Sequence, residues 1–206
     1  MDDKAPGRRL SARTRLLAAA ADCFYDQGVN ATGIDTIIAT AGVAKMSLYN
    51  NFASKDELVL AYLQARHEEW LELYRSRAKR ATGPRERILA VFDAYVDHAE
   101  FAYRHGFRGC GLLNAAAELP AGTPGRDLVR QHKEEVESLL ERHLVELGVG
   151  PERAASIGEQ LAFLLEGAMA RAGLEGDAAR LQRARDIAGS LIDDLDVSPH
   201  VSPKSR

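Results

Sequence analysis

Lys45, Met46, Ser47, Asn50 and Asn51 fall within one seven-residue stretch, and Lys55 follows closely. The stretch offers an ammonium group, two amides, a hydroxyl and a soft apolar side chain. Amides and ammonium groups hydrogen-bond base edges, a thioether packs on a thymine methyl, and short hydroxyls reach bases or phosphates. That is the chemistry of reading a nucleic acid. Residues for bond-making chemistry are not assembled in the chain. There is no GxSxG turn, phosphate-binding glycine loop or dinucleotide fingerprint. The six histidines form no HxxxH pair, and neither cysteine has metal spacing. No catalytic residue, metal site or cofactor is expected.

The elements that must hold these residues are legible on either side. Residues 32–52 read as two short helices joined by a turn at Gly42, the helix-turn-helix pattern whose second helix fits a DNA major groove. Ile34, Ile37, Ile38, Ala41, Val43, Leu48 and Phe52 are its apolar anchors. Thr32 reads as the N-cap of the first of these helices, with a further option of donating to a phosphate. Ser54 and Glu57 form a capping box, so a long helix starts there and places Lys55 among N–H groups that attract phosphate. Arg8, Arg9 and Arg13 read either as an arm toward DNA or as a solvated tail. Charge supports the location. Seven basic residues face three acidic ones between Lys4 and Lys55, whereas the whole chain carries −3.

Periodicity and punctuation by Gly and Pro give an all-α chain of about nine helices. They are expected at 11–27, 32–42, 44–51, 54–79, 84–104, 112–119, 126–147, 151–172 and 177–195. Residues 1–55 are assigned to a DNA-binding unit, 56–196 to a helical body, and 197–206 to a disordered tail. The eighth helix is apolar on nearly all sides and therefore needs a second cover. A homodimer through the eighth and ninth helices supplies one. Cys23 and Cys110 sit in apolar patterns and read as buried thiols. His67, beside Glu68 and Glu69, reads as a solvated surface cluster. No stretch has the length of a signal peptide or membrane span, so a cytoplasmic location is expected.

With this layout the chain resembles the TetR family of bacterial transcriptional regulators. The resemblance is specific over residues 13–58. It rests on AlaGlyVal at 41–43, LeuTyr at 48–49, Phe52 three residues after the tyrosine, and SerLys at 54–55. Beyond Leu60 it is one of helix count and length, apart from residues 108–119, which look like a segment of one subset of the family. The resemblance implies that Lys45, Met46 and Ser47 open the recognition helix toward base edges. It assigns Tyr49 and Lys55 to phosphates, and Asn50 and then Asn51 to DNA. Gly33 departs from the Ser or Thr of many relatives, which puts one phosphate contact in doubt. The resemblance also implies a repressor released from a double-stranded operator by a small apolar or aromatic effector. The residues placed in that pocket are Trp70, Tyr74, Phe92, Tyr95, His98, Phe107, Asn114 and Phe163. A body packed too tightly for a cavity would instead favour control by a protein partner.

Overall fold

The computed structural model describes residues 10–101 and 106–195. Among them the chain forms nine α-helices and no strand. They are α1 (Ala12–Gln27), α2 (Ile34–Ala41), α3 (Lys45–Tyr49), α4 (Lys55–Ala78), α5 (Pro84–Ala99), α6 (Gly111–Glu118), α7 (Pro124–Leu147), α8 (Pro151–Glu175) and α9 (Ala179–Asp193). Arg8, Arg9, residues 102–104 of the expected fifth helix and the tail 197–206 lie outside the described residues.

Local chemistry sets most helix ends. Ser11 Oγ accepts from Thr14 N at the start of α1. Ser54 Oγ accepts from Glu57 N, and the Glu57 carboxylate returns to Ala53 N at 2.6 Å, closing the capping box one residue before the cap. Pro84, Pro124 and Pro151 each open a helix, where the missing N–H costs nothing. α2 stops at Gly42, whose φ of +61° is left-handed, and its N–H returns to Ile38 and Ala39 carbonyls. A side chain there would be strained.

Two expectations fail at this level. Thr32 is not the cap of α2; Gly33 holds that position with no side-chain bond. Thr32 is instead fully buried, its hydroxyl 2.6 Å from Gly28 O and 3.2 Å from Cys23 O. Its hydroxyl is thus engaged by carbonyls near the end of α1 and turned away from the surface, where a phosphate would lie. α3 is also shorter than 44–51. Asn50 is its C-cap, and Asn51 Nδ2 turns back to Ser47 O at 2.7 Å.

α1, α2 and α3 pack around Leu16, Ala20, Ile37, Leu48 and Phe52, and α1 also rests on α4. α5 is the central helix of the rest, buried along most of its length against α4, α7 and α9. α8 lies on α7 and α9 and turns Ala154, Leu161, Leu165, Met169 and Ala172 inward. Cys23 and Cys110 are both buried free thiols, as expected.

Candidate nucleic-acid interface

α3 buries Leu48 and leaves its other side open: Met46 is 67% exposed and Tyr49 49% exposed. Lys45 and Asn50 are exposed and Ser47 is half-buried. Lys55, the first residue of α4, is half-buried close to the end of α3. Two arginines of α1 fix this helix pair. Arg15 Nη1 donates to Gly42 O and Arg13 Nη1 to Asn51 O, each at 3.2 Å, and the Arg13 guanidinium lies 4.5 Å above the Phe52 ring. Cations on carbonyls that end helices are favourable in charge and hydrogen bonding. Arg13 is thus structural here and not part of an arm. Asn51 is likewise occupied, through both its amide and its carbonyl.

Lys45 has a competitor that the sequence did not disclose. Its Nζ donates to Asp35 Oδ1 at 3.0 Å. The hydrogen bond and charge of Asp35 raise the Lys45 pKa, so the ammonium stays charged while its field is partly cancelled. Both side chains are exposed, and the pair can open when a stronger acceptor arrives.

The three N-terminal helices are tied to the body at both ends of α6. Glu118, its last residue, accepts from Val29 N at 3.1 Å and Asn30 N at 2.7 Å, and Asn30 Nδ2 donates to Glu118 O. Just before α6, Arg108 donates to Tyr25 O at 2.8 Å and to Asp26 O, while Tyr25 OH donates to Gly109 O. Residues at and just beyond the end of α1 are thus bonded to both ends of α6. Nothing local in the sequence marks these partners.

The pocket residues divide. Trp70, Tyr74, Phe92, Tyr95, His98 and Phe107 are buried as expected. Trp70 stacks on Tyr74 at 5.8 Å and meets Tyr95 and His132 at 5.3 Å. The space among Trp70, Tyr95, His98 and His132 is only about 20 Å³, room for roughly one water. The expected apolar, aromatic-lined cavity is thus closed at this cluster. Asn114 stands apart, exposed, with Nδ2 donating to Arg108 O. It lines an open cleft of about 500 Å³ with Leu113, Met169 and Leu174. Phe163 points the other way. It is 65% exposed on the outer face of α8, and the apolar run LeuAlaPheLeuLeu around it gives no phase to say which side faces the core.

His67 is a further correction. Its Nδ1 lies 3.0 Å from His132 Nδ1, between α4 and α7, so the two imidazoles are hydrogen-bonded and the ring is no solvated surface group. Burial first, then the charges of Arg66 and Lys133, pushes the His98 pKa down to about 4. His132 falls to about 2, chiefly by burial.

A helix-turn-helix with an open second helix, carried on a larger helical bundle, defines a DNA-binding regulator. Residues 16–62 match the family model for bacterial regulatory proteins of the tetR family, and residues 84–188 match that for the tetracyclin repressor-like C-terminal domain. The chain belongs to the TetR family of transcriptional regulators. It is similar to the transcriptional activator FasR of Mycolicibacterium smegmatis, 40% identical over 101 residues, 49% of this chain and 44% of FasR. The transcriptional repressor KstR2 of the same species is 33% identical over 100 residues, 48% of each chain. The chain thus aligns with less than half the length of these curated relatives. Among solved structures it resembles SCO4454, a TetR-family regulator from Streptomyces coelicolor. That match has 29% identity and a TM-score of 0.82, covering 90% of this chain and 96% of that one. The regulator sav143 from Streptomyces avermitilis gives 32% and 0.69, covering 87% and 98%. A regulator of this family binds DNA and is not an enzyme. Among the described residues no helix is long and apolar enough to cross a membrane.

Proposed function

We propose that the protein is a cytoplasmic homodimeric repressor that binds a near-palindromic operator and leaves it when an effector occupies the body. Residues 1–55 form the reading unit and 56–196 the sensing and dimerisation unit. The observation that carries this reading is the open face of α3, with Lys45, Met46, Ser47, Tyr49 and Asn50 beside Lys55. Lys45, Met46 and Ser47 meet base edges; Tyr49, Asn50 and Lys55 hold phosphates. Selection from random duplexes tests it. Enrichment of an inverted repeat with half-sites about 34–36 Å apart, or somewhat more, is expected. Recovery of unrelated sequences would remove the proposal.

For the effector, the proposed route is the cleft beside α8, with Trp70, Tyr74, Tyr95 and His98 exposed to the ligand only after the closed cluster parts. Such a ligand prefers the open state, and a coupling of about 1–3 kcal/mol would release DNA by about 5–150-fold. The tight packing around Trp70 favours a second reading, control by a protein partner. A thermal-shift screen followed by an operator-release assay separates the two: a small-molecule hit that releases DNA excludes the second reading.

A further inference from the structure

Two buried hydrogen-bond donors on α4 have no protein partner. They are the indole Nε1–H of Trp70 and Nε–H of Arg66. The residues stand one helical turn apart, hence on the same face, and both side chains line the 20 Å³ void. Trp70 is only 3% exposed. The Arg66 guanidinium also forms an ion pair with Glu69, Nη2 to Oε2 at 2.6 Å. A donor taken from water and left unbonded costs its full desolvation, so a pair of them at one void is not what packing alone would select. The carboxylates nearby, Glu69 and Glu166, do not line the void. Its walls present Arg66, Trp70, His98 and His132 instead.

The void and the 500 Å³ cleft share two wall residues, Cys110 and Met169. Where Gly173 meets the chain at Gly109, a Cβ would come within 2.7 Å of backbone, so that part of the wall has no slack. Met169 is the wall residue that can yield, being unbranched and rotatable. Beyond it the cleft offers Leu113 and Leu174.

We infer that this place receives a carboxylate: one oxygen accepts from Trp70 Nε1 and the other from Arg66 Nε, while an apolar tail passes Met169 into the cleft. The inference rests on the reading that the body binds a small-molecule effector, and it names the class, a carboxylic acid with a short aliphatic or single-ring tail. A carboxylate, with two acceptor oxygens, is the group that can accept from both of these donors, one of them cationic, with charge-assisted bonds. The void is too small for it while Met169 is in place. Binding therefore selects an opened arrangement and presses on Cys110, Gly111 and Leu112, at the start of α6. That is the helix whose two ends are bonded to α1.

Trp70 is the sole tryptophan, so its emission reports the site directly. The probes are octanoate and 4-phenylbutyrate, each compared with its neutral partner, 1-octanol and 4-phenyl-1-butanol. The acids should shift Trp70 emission saturably and bind about tenfold more tightly than the alcohols. Arg66→Met, checked for folding by its circular dichroism melt, should bring acid affinity down to that of the alcohol. Trp70→Phe, followed by thermal shift, should lose the stabilisation by acid. Equal binding of acids and alcohols to the wild type, or no change in emission with either acid at millimolar concentration, overturns the inference. Operator release is read separately. Acid binding at Trp70 without release leaves the site standing and removes the effector reading; release without preference for acids does the reverse.

Discussion

At the scale of single residues, the interface is a competition for a few charges. Lys45 is paired with Asp35 at 3.0 Å, and under the proposed function DNA competes for the same ammonium. Asp35→Asn should therefore tighten operator binding several-fold at low salt, since it frees Lys45 and removes an anion from a surface that meets phosphates. A titration by fluorescence anisotropy checks this, and unchanged or weaker binding would mean that Asp35 serves to orient Lys45 for its base. The contacts should also separate by what they read. Lys55→Ala should weaken all sequences alike and lower the log–log salt slope by about 1 per site. Lys45→Ala should instead change which operator variants are preferred. Uniform loss of affinity with Lys45→Ala would reassign that lysine to the phosphates.

At the scale of elements, α6 acts as a strut between the reading helices and the body. Glu118 holds two N–H groups beyond the end of α1, and Arg108 holds two of its last carbonyls. Glu118→Ala should cost about 1–3 kcal/mol of stability through the unpaired N–H groups. More tellingly, it should blunt discrimination between operators whose half-site spacer differs by one base pair. Full discrimination in the variant would assign head orientation to α4 alone. None of this strut was legible in the sequence, because its partners lie more than 80 positions apart. What was legible is local. The Ser54–Glu57 box, the stop at Gly42, the prolines that open α5, α7 and α8, and the outward run on α3 each follow from neighbouring residues. Thr32 misled because the carbonyls it serves, on Cys23 and Gly28, precede it in space but not in any capping pattern. His67 misled because its partner, His132, belongs to another helix. Phe163 misled because it stands in the run LeuAlaPheLeuLeu, where apolar residues follow one another and do not mark which side faces the core.

At the scale of the whole molecule, two properties follow from what is hidden and what is not. His98 and His132 stay neutral in the fold, with pKa values pushed down to about 4 and about 2 by burial and neighbouring cations. Unfolded, each titrates near 6.5. Below that pH the unfolded chain binds protons that the native one refuses, so stability falls with acid by about 1.4 kcal/mol per pH unit for each histidine, and is full above it. Urea melts at pH 7.5, 6 and 5 should show the decline, and His98→Leu should remove one share of its slope. What is not hidden is the outer stripe of α8. Phe163, Ala170 and Leu174 are exposed along one face, with Phe163 at 65% and Leu174 at 85%, and Leu191 of α9 is 49% exposed. Large apolar groups in a row on a helix surface mark an interface rather than a solvated face. A two-fold pairing of this stripe with its copy would cover it, and the proposed operator binding requires that such a dimer offer its two α3 helices to successive major grooves. Phe163→Glu places a charge on that stripe, on a different helix from the proposed DNA-reading residues. It should convert the species seen by light scattering from a dimer to the 22.5 kDa chain. The same variant should keep its circular dichroism melt, since Phe163 supports no core, yet lose most of its affinity for the inverted repeat while single half-sites bind as before. A variant that remains dimeric and binds the full operator normally would move the dimer interface off α8.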